Sequence, residues 1–214
     1  MQVSIFGGTG LIGGFLVELL TKDPDFHLVN LITRKKIKIN NEKVKIILMD
    51  FSNKDSISKS VENSSVVFSA IGTTRSKVKG DQKKYREIDL DINLNIAKAC
   101  KEKNVEHFSF VSSSGANYNS KNFYLKLKGE IENSIINLKL DSLSILRPSL
   151  LIGKRNEIRI GEKIAQLIIP LFSFLMPLNY RPIKAYQVAK AMINISKNKK
   201  KGTNIYHYKQ IQLN

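Results

Sequence analysis

The chain has 214 residues, 42% of them hydrophobic, which is enough for one large domain with a real core. A single cysteine, Cys100, excludes an intrachain disulfide and a cysteine-based metal site, and the three histidines (27, 107 and 207) are too dispersed for metal ligation. The formal charge of +17 comes from 28 lysines against 7 arginines spread along the chain, a pattern of a solvated surface, so no specific nucleic-acid partner is expected.

No stretch reaches the ~18 uninterrupted apolar residues of a membrane span. The longest apolar region, 164–178, is broken by Gln166, Pro170, Ser173 and Pro177 and reads as a buried or pocket-lining segment. Met1 leads almost directly into an apolar run, without the charged-then-apolar pattern of a signal peptide. With the sparse cysteine, this points to a cytoplasmic protein.

In chain order, residues 2–6 predict strand 1 and 10–22 helix 1. Asp23-Pro24-Asp25 makes a turn, and 27–33 predicts strand 2. Strand 3 falls at 44–49, an almost continuous apolar run such as buried parallel strands show. A short helix capped by Ser52 or Asn53 runs to about Val61, followed by strand 4 at 65–70. A long helix is expected over 83–103, with Ile88, Ile92, Ile96, Ala99 and Cys100 at helical spacing. Strand 5 (107–111), a helix (122–139) and strand 6 (141–146, closed by Arg147-Pro148) follow. The pattern then loosens into a small lobe, 149–182, before a helix at 184–196 and a late strand at 205–208. Strands alternating with helices imply an α/β fold: a Rossmann-type doubly wound parallel sheet of order 3-2-1-4-5-6. The expectation is one domain over 1–214 with a small C-terminal lobe on the side of the sheet where a ligand would sit.

The first strand ends in Gly7-Gly8-Thr9-Gly10-Leu11-Ile12-Gly13 and leads straight into a helix. Glycines at 7, 10 and 13 let the backbone turn sharply and let a pyrophosphate approach bare amides, at the positive end of the helix dipole. The end of strand 2 bears on which dinucleotide binds. An NAD site usually places Asp or Glu there for the ribose 2′-hydroxyl. Here the residues are Thr33-Arg34-Lys35-Lys36; Arg34 can clamp a 2′-phosphate and Lys35 adds charge, which favours NADP(H). Asp50-Phe51, ending strand 3, is placed to meet an adenine, with Asp50 accepting from its amino group and Phe51 walling its face; a helix cap plus a core phenylalanine explains the pair nearly as well. The tight turn Ala70-Ile71-Gly72-Thr73-Thr74 gives backbone access to the ribose and phosphates.

Tyr124 and Lys128 share one helix face. A lysine ammonium beside a phenol stabilises the phenolate, so the tyrosine can exchange a proton with a substrate oxygen. Two further Tyr-x-x-x-Lys pairs, Tyr180/Lys184 and Tyr186/Lys190, share the spacing; only Tyr124 follows strand 5 and its serine cluster, Ser112-Ser113-Ser114. Serines at that strand end stand in the ligand crevice. Ser113 is the candidate partner of the substrate oxygen, and Ser114 the second choice. Arg155 and Arg159 are candidates for an acidic substrate group.

The glycine turn, Thr33-Arg34, Ser112-Ser113, Tyr124-x-x-x-Lys128 and Leu146-Arg147-Pro148 together resemble an atypical short-chain dehydrogenase/reductase. More narrowly, Ile71-Gly72-Thr73-Thr74-Arg75, Lys128-Gly129-Glu130-Ile131-Glu132 and the stretch from Arg147 to Arg155 are similar to the Tat-interacting-protein-like oxidoreductase branch, whose bacterial relatives are often labelled epimerase-like. The resemblance spans residues 2 to about 195. It implies an NADP(H) site at Thr9, Gly10, Leu11 and Ile12, then Arg34 and Lys35, Ile71, Gly72 and Thr73, and Tyr124 and Lys128. It adds Leu151 beside the nicotinamide, and Arg159. The expected function is NADP-dependent reduction of a small carbonyl through Ser113, Tyr124 and Lys128, by a monomer or homodimer. The alternatives are a non-catalytic NADP(H)-sensing regulatory protein and a sugar-nucleotide epimerase or dehydratase, which would need tightly held NAD.

Overall fold

The computed structural model describes residues 1–153 and 176–214. Arg155, Arg159 and most of the apolar region 164–178 lie outside the described residues.

Seven strands form one parallel sheet: β1 (Gln2–Phe6), β2 (Leu28–Thr33), β3 (Val44–Leu48), β4 (Val66–Ser69), β5 (His107–Val111), β6 (Ser142–Leu146) and β9 (Gly202–Tyr206). Their order is β3-β2-β1-β4-β5-β6-β9, the expected doubly wound order extended by one strand. Two short strands, β7 (Leu151–Ile152) and β8 (Ile183–Lys184), pair separately from the main sheet, the first within 149–182 and the second just beyond it.

Alternation along the strands feeds two cores. On one face, Val3, Ile5, Val66 and Phe68 pack with Leu16 and Leu20 of α1 (Leu11–Lys22) and with Val188 and Met192 of α6 (Ala185–Lys197). On the other, Phe6, Val67, Phe108 and Phe110 pack beneath Ile57 of α2 (Lys54–Val61), Ile96 of α4 (Ile92–Glu102) and Ile131 of α5 (Phe123–Ile136). The chain reverses its direction of sheet growth between β1 and β4, so the turns after these two strands meet at the switch point.

Three expectations need correction. β3 is an edge strand and only partly covered; Leu48 is 50% exposed, because neighbours rather than its own apolar run decide its burial. The long helix is interrupted: α3 (Gln82–Arg86) passes through a π turn (Glu87–Asp91) before α4. The last strand begins earlier than expected and stops at Tyr206, because His207 caps a final helix, α7 (Tyr208–Leu213), with its N–H donating to Gln210 Oε1 at 2.7 Å.

His107 opens β5 with no exposed surface. Ser142 Oγ donates to the Lys200 carbonyl (2.6 Å), so His107 Nδ1 at 2.7 Å carries the proton that Ser142 accepts, and Nε2 has no hydrogen-bond partner among the described residues. Burial, reinforced by Lys199, pushes the imidazole down to about 4. The folded state thus resists a proton that the unfolded chain accepts near 6.5. The stability contribution is full above that value and falls as pH drops towards the folded one. Between pH 7 and 4.5 wild type should lose about 2–3 kcal/mol more than His107→Gln, as read by urea unfolding.

Candidate functional site

The turn after β1 is built for close backbone approach. Gly7 sits at φ +81°, and a Cβ there would lie 2.7 Å from the carbonyl carbon and oxygen of Ala70, in the facing turn. Gly10 N–H donates to the Gly7 carbonyl at 2.9 Å. A Cβ on Gly13 would stand 2.1 Å from that same carbonyl oxygen, so only glycine lets α1 start this close to the strand. Gly10 is the N-cap of α1, and no side chain caps it. The first N–H groups of the helix are therefore left for an anion, with the dipole's positive end behind them.

A cleft of about 780 Å³ opens over this turn, within the roughly 300–1,000 Å³ common for ligand sites. Thr9, Gly10, Leu11 and Ile12 line one wall, Ile71, Gly72 and Thr73 the floor, and Tyr124, Lys128 and Leu151 the far side. Ile37 and Ile39, from the loop after Arg34, close another edge and were not picked out in the sequence. An uncapped glycine turn, a backbone floor and a tyrosine–lysine wall fit a dinucleotide laid across the switch point.

Helix α5 supplies the far wall. Asn122 caps it, its side chain accepting from Leu125 N–H at 3.1 Å, and the four-residue spacing puts Tyr124 and Lys128 on the cleft side. Lys128 Nζ lies 5.8 Å from the centre of the Tyr124 ring. Tyr124 is 37% exposed, whereas the Lys128 side chain is almost wholly buried and pairs with Asp89 Oδ2 at 2.8 Å. Burial opposes the charge on Lys128, but the Asp89 carboxylate and then Tyr124 outweigh it, and the ammonium is held above the ordinary lysine value.

Asp89 is the residue sequence reasoning missed. It lies in the π turn, fully buried, and its other oxygen accepts the Thr73 N–H at 2.6 Å. The available signal was a carboxylate on the stripe Tyr85, Asp89, Ile92, Ile96, where the neighbours are apolar and buried.

The serine cluster is less tidy than expected. Ser112, rather than Ser113, lines the cleft. Ser112 Oγ donates to Glu132 Oε1 at 2.5 Å, and Arg147 Nε donates to the same oxygen at 2.9 Å, while Arg147 Nη2 also pairs with Oε2. That ionic cluster ties the ends of β5 and β6 to α5. Ser114 Oγ donates to the Asn179 carbonyl at 2.7 Å. Ser113, half-buried, makes a long 3.3 Å bond to the Ser114 carbonyl. Ser112 and Ser113 both lie past the end of β5, where the loop geometry and not strand alternation decides which side chain faces the cleft.

The adenine-side expectations also change. Asp50 is exposed and takes part in a local turn, accepting from Ser52 N–H (3.0 Å) and Ser52 Oγ (2.7 Å); these two bonds hold its carboxyl below the usual range. It does not line the cleft. Phe51 is a core residue 5.9 Å from Phe6, with the Arg34 guanidinium 5.8 Å above its ring. Arg34 and Lys35 stand outside the cleft wall, in a turn tied by the Thr33 hydroxyl, which donates to the Lys35 carbonyl at 3.1 Å.

The sequence profile of the NAD(P)H-binding family matches residues 7–198. Protein FMP52, mitochondrial, from Candida albicans is 37% identical over 173 residues, covering 78% of this chain and 75% of that protein. Protein HTATIP2 from Rattus norvegicus is 33% identical over 168 residues, covering 77% and 69%. Among solved structures, MoeE5 in complex with UDP-glucuronic acid and NAD superposes with a TM-score of 0.74 at 16% identity, over 96% of this chain and 75% of that one, which is a likeness of fold. The FMP52 relatives are named as mitochondrial proteins, which overturns the cytoplasmic expectation. A single cysteine excludes an intrachain disulfide, and that does not separate one reducing compartment from another. No helix among the described residues is long and apolar enough to cross a membrane. The chain belongs to the NAD(P)H-binding family, as an atypical protein of the short-chain dehydrogenase/reductase type.

Proposed function

We propose that the protein is an NADP(H)-dependent reductase of a small carbonyl compound. The observation that carries this reading is the position of Tyr124 and Lys128, on the cleft wall across from the uncapped start of α1. The bound nicotinamide would supply the hydride. Thr9 to Ile12 would hold the pyrophosphate on backbone N–H groups, and Ile71 to Thr73 would border the ribose. Arg34, steadied over Phe51, and Lys35 would take the 2′-phosphate.

Tyr124 donates its phenolic proton to the carbonyl oxygen as charge develops there. Lys128 holds the ribose and keeps a positive charge close to the tyrosine. Ser113, the hydroxyl expected to orient the carbonyl, does not line the cleft, and Ser112 and Ser114 are committed to Glu132 and the Asn179 carbonyl, so Tyr124 alone is assigned to the carbonyl oxygen. The test is oxidation of NADPH, followed by loss of its absorbance, against a panel of small aldehydes, ketones and quinones. Turnover of any member supports the reading. Tight NADPH binding with no turnover of any of them favours the sensing role instead.

A further inference from the structure

A carboxylate without exposed surface is costly unless its oxygens are partnered, and those of Asp89 are shared between two elements, the turn after β4 and helix α5. Oδ1 accepts the Thr73 N–H of the cleft floor at 2.6 Å, and Oδ2 accepts from Lys128 Nζ of the cleft wall at 2.8 Å. The residue itself is fixed from behind. Asn93 Nδ2 donates to its main-chain carbonyl (2.7 Å), and Ser69 Oγ donates to Asn93 Oδ1 (2.6 Å). A Cβ on Gly72 would come within 3.7 Å of Asp89 Oδ2 and 3.9 Å of Lys128 Nζ, so the ion pair lies directly against the floor.

Resting on the dinucleotide reading above, we propose that Asp89 is a positioning residue: it pins the Lys128 ammonium and the Thr73 turn to each other and presents both to the nicotinamide-side ribose as one preset unit. An ammonium has three donors; Asp89 takes one, and no other hydrogen bond to Lys128 Nζ is made among the described residues, where Lys128 lines the cleft. Holding a buried cation and a backbone amide in place before the ligand arrives spares the ordering cost on binding.

The groups facing Lys128 are Asp89 from the π turn, Tyr85 from α3 and Tyr124 from α5. Asp89→Asn keeps an acceptor for Thr73 but leaves the buried ammonium beside two phenols. Burial then drives it towards the neutral form below the ordinary lysine value. In wild type the lysine stays charged in both folded and unfolded chains between pH 7 and 9 and adds only a small pH dependence by pH 10. In Asp89→Asn the folded chain releases that proton before the unfolded one does, so stability relative to wild type rises with pH across the window.

The experiment combines urea midpoints from pH 7 to 10 with NADPH titrations for wild type, Asp89→Asn, and Asp89→Asn combined with Lys128→Met. The single variant should bind NADPH about tenfold or more weakly at pH 7, and its midpoint should climb towards wild type with rising pH. The double variant should show no climb. Should the single variant not fold, the double variant, which lacks the stranded charge, should recover a folded state; if it does not, the proposal fails. A single-variant midpoint parallel to wild type, or unchanged NADPH affinity, overturns it. A wild type that binds neither NADPH nor NADH refutes the dinucleotide reading itself, and the ribose part with it; the unfolding arm then judges the Asp89–Lys128 pairing alone.

Discussion

Tyr124→Phe should lower NADPH-dependent carbonyl reduction by about 10²–10⁴-fold while leaving NADPH affinity within about twofold of wild type. The substitution removes one oxygen and keeps the ring. That ring packs 6.5 Å from Tyr85 and sits near Lys128 Nζ, so the wall of the cleft keeps its shape. What is lost is the proton needed as the carbonyl oxygen gains charge, which matters in the transition state more than in the ground state. Single-turnover kinetics with pre-bound NADPH read the step directly. Turnover unchanged in the variant would show that Tyr124 is not the proton donor.

Gly13→Ala should reduce dinucleotide affinity by about a hundredfold or more and destabilise the fold by about 1–3 kcal/mol. The added methyl would stand 2.1 Å from the Gly7 carbonyl oxygen and 2.6 Å from the Gly8 Cα. Neither neighbour is a flexible side chain, so the helix start must move away from the strand, and the amide groups that face the pyrophosphate move with it. Gly14→Ala is the control for stability alone, because Gly14 also lines the cleft. Its Cβ would meet nothing nearer than the Gly8 carbonyl at 3.9 Å, on the exposed side of α1, so helix propensity alone should make it neutral or slightly stabilising. Calorimetric titration and thermal unfolding of both variants separate the effects. Equal affinity for wild type and Gly13→Ala would show that the turn does not hold the ligand.

The glycine turn was legible because its requirement is local: three positions without a side chain, a strand before and a helix after. Sheet order was legible for a similar reason, since alternating strands and helices with right-handed crossovers leave few topologies. The errors arose where distant neighbours decide. Nothing in Val44-Lys45-Ile46-Ile47-Leu48 says that its far side has no strand. Asp89 reads as one more charge on a long helix until Lys128, 39 residues later, and the Thr73 amide are seen to meet it. The π turn that carries it interrupts the regular spacing from which the helix was read. Ser112 and Ser113 are neighbours in the loop after β5, and only the folded loop tells which hydroxyl is already engaged by Glu132.

Whether this cleft takes NADP(H) is read most directly by calorimetric titration of the same protein with NADPH and with NADH. Wild type should bind NADPH at least about tenfold more tightly than NADH, the effect of one charge-assisted phosphate contact. In Arg34→Ala the two affinities should converge through weaker NADPH binding, with NADH unaffected. Equal binding of both dinucleotides by wild type, a preference for NADH, or no binding of either would contradict the NADP(H) assignment.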